Sequence, residues 1–414
     1  MNRREFAKVV AAGTAGAALT ARADETLAQS STGIPALKVL KNNKIRLGGQ
    51  RGFGNGPVTS KENMEWHLRW GIRHLDVALE NARSAPGVIT ELFQGAPASQ
   101  PASDQPGAGR GRRGGGAGGR MTPTGAWNLD AMKRVRDTLA ENGLEWESIR
   151  MDSAYIAMKP GPERARYLDL ICENVRKAGQ AGIPIISYHW NLTPIRRNLD
   201  IPGRGGSRYA AFKLEPDWKN LPLTDAGRVT SDDYWERLTV WAKAVVPAAI
   251  ESKVKLACHP YDPGGLPLGY LGVDSFDAAD YTAGLLRYEK LYDSPYNGFQ
   301  YDTGVSRESM PAGQDQLALL HGLLQRKKVH QIHFRNVRGG QNDFVEVYHD
   351  EGDVNLFNII RLLRDMNWEG SLLADHSPSH GSDPGSSMGF AFANGYILGL
   401  LRAAREEAEK YARA

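Results

Sequence analysis

The chain has 414 residues, 41% hydrophobic and 24% charged, so it is globular and has material for one large α/β domain or two smaller ones. A formal net charge of +4 over that length, part of it from a single Arg-rich tract, gives no case for a nucleic-acid partner. Two cysteines, Cys172 and Cys258, lie in apolar-patterned segments and suggest neither a disulfide framework nor a zinc cluster, and no apolar run is long enough to insert in a membrane.

Residues 1–23 read MNRREFAKVVAAGTAGAALTARA. Paired Arg3 and Arg4, with Phe6 and Lys8, precede a weakly apolar Ala/Gly-rich run, and Ala21-Arg22-Ala23 offers a cleavage site. This order of charge, apolar run and cleavage site resembles a bacterial twin-arginine export signal. The expectation is a signal over 1–30, handled by the twin-arginine translocation machinery, and a periplasmic or secreted catalytic domain over 31–414. If the signal is not used, the protein stays cytoplasmic.

The remaining elements follow in order. Residues 44–47 form a strand candidate, 61–70 a helix and 74–79 a second strand. The tract 95–125 is rich in Gly, Pro and Arg and cannot bury enough apolar surface to offset its ordering entropy, so a solvated insertion is expected. Its arginines lack the interleaved aromatics of an RNA-contacting segment. Helix 129–142, with Gly143 suited to its C-cap, leads to strand 148–151. Helix 162–181 then leads to strand 184–189, helix 234–252 to strand 254–259, and helix 277–292 to strand 298–302. Helix 315–326 precedes strand 329–334, whose alternation ends at Gly339-Gly340. Helix 354–366, strand 371–375 and a terminal helix from Phe390 complete the series. Eight strands, nearly all separated by helices, predict a TIM (β/α)8 barrel. No glycine-rich phosphate fingerprint opens a helix after a strand, which argues against a dinucleotide fold.

The chemistry gathers at the C-terminal ends of the later strands, where a β/α barrel presents its site. Strand five ends at His259 with Asp262 just beyond, six at Asp302, seven at His333, and the last at Asp375, His376 and His380. Singly, a rim histidine usually hydrogen-bonds to backbone, and Asp302 or Asp375 would serve to cap a helix. Together, two histidines and two carboxylates on four neighbouring strands make a hard or borderline divalent site for Mn²⁺, Fe²⁺, Mg²⁺ or Zn²⁺. Cys258, alternating to the opposite face from His259, reads as core.

The segments KLACHPYDPGG, NGFQYDTG, IHFRNVR, YHDEGDVNL and ADHSPSH occur in this order. They resemble the mannonate dehydratases, a family of xylose-isomerase-like TIM barrels. The matching family segments are HPDDP, an NG-aromatic strand ending in CTG, H-x-R, H-x-GDV and PDHGH. The likeness is clearest from Lys255 to His380; upstream, YHWNLTP loosely matches the family's YNFMP. Carried over by motif, the family metal ligands fall on His259, Asp302, His333 and Asp375, with Asp302 where the family has cysteine. A carboxylate there hardens the site; the expected cofactor is Mn²⁺ or Fe²⁺, with Mg²⁺ as the harder alternative.

The resemblance implies dehydration of D-mannonate to 2-keto-3-deoxy-D-gluconate, with a sugar acid as the small-molecule partner. Among the rim residues His376 is the first candidate for proton transfer, with His349 and Tyr348 behind it. Arg335 is expected to hold the substrate carboxylate, and Asn191, His189 and Asn336 to contact the substrate. A metal-dependent sugar isomerase or epimerase on the same scaffold is the main rival, and a non-catalytic exported carbohydrate-binding barrel a second. Homo-oligomerisation is compatible with all three.

Overall fold

Eight parallel strands close on themselves in the computed structural model, which describes residues 44–50, 57–78, 125–151 and 159–412. They are β1 (Ile45–Gly49), β2 (His74–Ala78), β3 (Glu145–Arg150), β4 (Ile185–His189), β7 (Lys255–His259), β8 (Asn297–Asp302), β9 (Val329–His333) and β12 (Gly370–Leu373). Each pairs in parallel with its neighbours around the ring, and β1 closes it by pairing with both β12 and β2. All eight strands expected from the sequence are present, so the fold is a TIM barrel. The expected signal over 1–30 and nearly all of the tract 95–125 lie outside the described residues.

The helices between strands begin where local chemistry predicts. Ser60 caps α1 (Lys61–Arg69), Asn128 caps α2 (Leu129–Glu141) and Pro162 opens α3 (Pro162–Gln180). Thr230 and Asp233 form a capping box on α4 (Ser231–Ser252), three residues before the helix expected from periodicity. Asp280 caps α5 (Tyr281–Glu289), and Asp302 caps α6 (Thr303–Ser309). The later helices are α7 (Gln316–Gln325), α8 (Leu356–Asp365) and α9 (Ser387–Ala412).

Large aromatic and aliphatic side chains fill the layer between barrel and helices, including Tyr188, Trp190, Trp241 and Tyr288. The barrel interior is unusually polar. Gln300 donates to Gln331 at 2.6 Å, Gln331 donates to Ser148 at 2.9 Å, and Ser187 donates to Asp76 at 3.4 Å. A shift in the β2–β3 register skips Glu147, which turns to accept from Arg46 and Ser371.

A second sheet was not expected from the sequence. Strands β5 (Leu199–Pro202), β6 (Arg208–Lys213), β10 (Asn336–Gly340) and β11 (Asp343–Val347) form a four-stranded antiparallel sheet in the order β10-β11-β6-β5. One hairpin is inserted between β4 and α4, the other between β9 and α8. Residues 336–347, which follow the expected strand 329–334, are therefore this second hairpin. Phe212 and Phe344 pair across β6 and β11, and pack with Leu266, Tyr270 and Leu271 into a satellite core.

Candidate active site and metal centre

The barrel register sets the site. On adjacent strands His189 pairs with His259 and Asp302 pairs with His333, while Leu373, two residues before Asp375, pairs with His333. Strand ends at equal height aim their side chains at one region of the rim.

His259, Asp302 and His333 offer ligand atoms that all lie within 4.8 Å of one another, and all three residues are buried. His259 Nδ1 lies 2.7 Å from the Pro260 carbonyl and takes the donor role there, leaving its Nε2 lone pair facing Asp302 Oδ2 at 3.4 Å. His333 Nδ1 meets Asp375 Oδ1 at 3.4 Å and Asp302 Oδ2 at 3.7 Å, with no hydrogen bond among the described residues. A buried ring nitrogen between carboxylate oxygens, each too long for a hydrogen bond or at its limit, is what a cation-sized gap between ligands looks like. The donor set of two imidazoles and carboxylates fits a borderline or hard divalent ion. Asp375 stands at the edge of this group: its Oδ1 accepts from Gln50 at 2.5 Å and its Oδ2 lies 3.2 Å from His376 Nε2.

Asp302 does two jobs. Oδ1 accepts from the Val305 amide at 2.7 Å, capping α6, which leaves Oδ2 for the centre. Burial pushes its carboxyl up, but Arg335 with His259 and His333 holds it well below the usual range. Asp375 is likewise held low against burial, chiefly by His333 and His376. Burial lowers the His333 imidazole, yet Asp375 and Asp302 outweigh it and raise the ring to about 9.

Behind the centre lies a charge cage that the sequence reading missed. Arg335, fully buried, places Nε 3.1 Å from Asp302 Oδ2, Nη1 3.2 Å from Glu308 Oε2 and Nη2 3.6 Å from Asp262 Oδ2. Arg197 reaches Asp262 at 2.8 Å and Glu346 at 2.8 Å. Gly304 admits the first guanidinium, since a Cβ there would lie 2.6 Å from Arg335 Nη1. Burial pushes the Glu308 carboxyl up to about 8 despite both arginines. The two cations thus neutralise a group of internal carboxylates.

Several expected contacts are corrected by this arrangement. Arg335, expected on the substrate carboxylate, faces protein carboxylates. Arg150, at the end of β3, has Nη2 3.5 Å from His333 Nε2, 3.2 Å from Gln50 Oε1 and 3.8 Å from Asp76 Oδ2. Asn336 donates to the His349 and Val354 carbonyls and accepts from the Val337 and Val354 amides, which uses its amide fully. Gly352 packs against that amide too tightly for any side chain, a Cβ meeting Asn336 Oδ1 at 2.0 Å. His349, 1% exposed, lies 2.7 Å from the Phe334 carbonyl, and burial lowers its ring to about 4. It is a structural histidine in the hairpin's return loop.

Tyr348 shares a 2.7 Å hydrogen bond with Ser207 and carries Arg204 on its ring, in contact with β5–β6 rather than the metal ligands. Arg204 also takes both Asp350 oxygens, at 2.6 and 2.8 Å, and Tyr209 donates to Glu351, so the HDEGD loop fastens the first hairpin. His189 stacks on His259 with centroids 4.2 Å apart, and burial, then His259 and Arg150, keeps it neutral. Asn191 donates to the Asp262 carbonyl at 2.7 Å, and its Oδ1 has no partner among the described residues. His376 approaches Glu346 through Nδ1 at 2.6 Å, while His380 turns away to Ser382 and Gly205. Cys258 is fully buried core, as expected.

Comparison with known proteins agrees with this geometry. Residues 220–411 match the family model for D-mannonate dehydratase (UxuA). Mannonate dehydratase of Streptococcus pneumoniae is 30% identical over 82% of this chain and 95% of its own length. The enzyme of Thermotoga neapolitana is 25% identical over 84% of this chain and its full length. The crystal structure of mannonate dehydratase from Streptococcus suis shares the fold, with a TM-score of 0.66 at 23% identity, covering 89% of this chain and 95% of that one. A barrel in which His259, Asp302 and His333 converge at three adjacent strand ends, with this extent of shared sequence, belongs to the mannonate dehydratase family.

Proposed function

We propose that this protein is a metal-dependent hydro-lyase that converts D-mannonate to 2-keto-3-deoxy-D-gluconate and water. The observation that carries the reading is the convergence of His259, Asp302 and His333 beside His376, in a chain of this family. With Asp375 as fourth ligand, the mixed imidazole and carboxylate set suits Mn²⁺ or Fe²⁺, and Mg²⁺ as the harder choice. When bound, such an ion supplies electrostatic stabilisation for the charge that develops beside the substrate carboxylate.

The chain's own groups do the rest. The C2 proton of an aldonate is weakly acidic, so a base must meet it at close range. His376 adjoins ligand Asp375 and keeps 28% of its side chain exposed, which lets Nε2 reach a bound substrate. It takes the C2 proton there and returns one to the departing 3-hydroxyl. Arg150 faces the centre from β3 and suits the anionic end of the substrate; Asn191 Oδ1 and His189 suit hydroxyls.

The test is metal analysis of the purified full chain together with an aldonate screen. The expected result is bound divalent metal and a 2-keto-3-deoxy product detected by thiobarbiturate, lost on chelation and restored by Mn²⁺. Conversion of aldoses or ketoses without loss of water would instead support an isomerase or epimerase, and metal-independent sugar binding a non-catalytic barrel. His376→Ala should lose turnover while retaining metal; wild-type turnover in that variant would remove His376 from the mechanism.

We also propose export by the twin-arginine route, supported by Arg3-Arg4, the apolar run and the Ala21-Arg22-Ala23 site. Cell fractionation should find the protein outside the cytoplasm, and Arg3→Lys with Arg4→Lys should retain it inside. Cytoplasmic protein in both cases ends that proposal.

A further inference from the structure

One short contact joins the second sheet to the rim of the barrel. Glu346 sits on β11, two residues along from Phe344 and on the same face, the face that packs inward on the satellite core. From there its Oε1 lies 2.6 Å from His376 Nδ1, and the glutamate side chain is only 12% exposed. Arg197 holds the same oxygen at 2.8 Å and stacks on Phe344, 4.8 Å from the ring centroid, so the carboxylate is fixed from behind. The other ring nitrogen, Nε2, lies on the side of Asp375, 3.2 Å from Oδ2.

We propose that Glu346 is the positioning residue for His376, and that the antiparallel sheet supplies the orienting half of the proton-transfer pair. The reading rests on the role of His376 given above. A carboxylate accepts only, so Nδ1 must carry the hydrogen toward Glu346. Nε2 is then the nitrogen turned to the side of Asp375 and the proposed ligands, where a substrate proton would be exchanged. The contact with Glu346 also fixes the ring plane, because Nδ1 is tethered to a strand whose register is set by β10 and β6. The triad logic of acid–base catalysis is the same: a base oriented by a buried carboxylate that does not itself exchange the proton. Here the base lies just past the end of a barrel strand and its carboxylate on the antiparallel sheet, 30 residues apart.

The test uses the full chain with histidine-selective ¹⁵N labelling and Mg²⁺ as a diamagnetic ion. Wild-type protein should show a downfield Nδ1–H proton resonance that is absent from both Glu346→Ala and His376→Gln. In Glu346→Ala, kcat on the aldonate should fall about 100-fold, with KM and Mg²⁺ affinity held within about threefold. Glu346→Gln keeps an acceptor oxygen without the charge, and should recover part of the kcat while moving the resonance upfield. Wild-type kcat in Glu346→Ala, a persisting resonance, or a joint fall of kcat, substrate affinity and Mg²⁺ affinity would each overturn the assignment. Should the alanine variant not fold, Glu346→Gln decides alone: an unshifted resonance with full kcat refutes the role. If the wild-type protein dehydrates no aldonate, the proposed function fails, while the resonance, read without substrate, still decides whether Glu346 orients the ring.

Discussion

The barrel and the antiparallel sheet build one site by different physics. In the barrel, His259, Asp302 and His333 are neighbours because parallel strands in register bring their ends to one height. Each ligand needs only its own strand and the next. In the sheet, Glu346 arrives through a hairpin held by an apolar cluster and by Arg197, and Tyr348 and Arg204 fasten one hairpin to the other. The comparison separates two kinds of error. A fault in the barrel should remove the metal; a fault in the sheet should leave the metal and misdirect the proton.

The strongest way to break the comparison lies on the barrel side. Asp302→Ala should abolish metal binding and reduce turnover by about 10³-fold or more, since the charge stabilisation supplied by the ion goes with it. Isothermal titration with Mn²⁺ checks the first claim. Retained affinity would show that His259, His333 and Asp375 suffice. The substitution also removes the cap of α6, so a parallel melting curve separates loss of ligand from loss of fold.

Arg335 belongs to both regions, touching Asp302 and Asp375 on the barrel side and Glu346 on the sheet side. Arg335→Met leaves buried carboxylates unneutralised and should cost about 3–5 kcal/mol in urea unfolding. A loss under about 1 kcal/mol would mean that the cage relaxes by taking up protons instead.

Glu308 gives a finer test of the same cage. Its carboxyl is raised to about 8 by burial, above the ordinary value of 4.5. The folded protein therefore holds a proton that the unfolded chain releases. The stabilisation is fully present below the ordinary value and is lost as pH rises through the folded one. Glu308→Gln, neutral at every pH, should flatten that part of the decline between about pH 5 and about pH 9, read from urea midpoints. A slope identical to wild type would assign the decline to another group.

The smallest effect is expected at the fastening itself. Arg204 is 42% exposed, so its bidentate pair with Asp350 should contribute less than about 1 kcal/mol in a double-mutant cycle. A large change in kcat in Arg204→Ala would show that the two hairpins must be locked for the proton step.

Most of the barrel was legible in the sequence because its signals are local. Each strand is a short apolar run, each helix has a 3.6-residue pattern, and His259, Asp302, His333 and Asp375 stand at or just past strand ends. The second sheet was not legible for the opposite reason. LDIP and RYAAFK carry weak alternation and pair with a hairpin far along the chain, so nothing near them announces a strand. Glu346 shares the face of Phe344, and its burial depends on the pairing of β11 with β6 and on Arg197. Arg335 was misread for a related cause: its burial depends on Asp262, from the loop after β7, and on Glu308, from α6. Asn336 and His349 looked like site residues by position, yet their polar atoms serve the hairpin's backbone.

The pairing of β6 with β11 has a kinetic consequence. Lys213 and Asp343, at the open end of that pairing, are 130 residues apart in the chain. Three barrel strands and their helices must be laid down in between, so loop closure weighs against this contact until the intervening chain is compact. Three of the proposed ligands, His259, Asp302 and His333, need only β7, β8 and β9, which are consecutive in the barrel and close in sequence. On refolding from denaturant, capacity to bind the ion should therefore return before turnover does, and the interval between them is the time the two hairpins take to find each other.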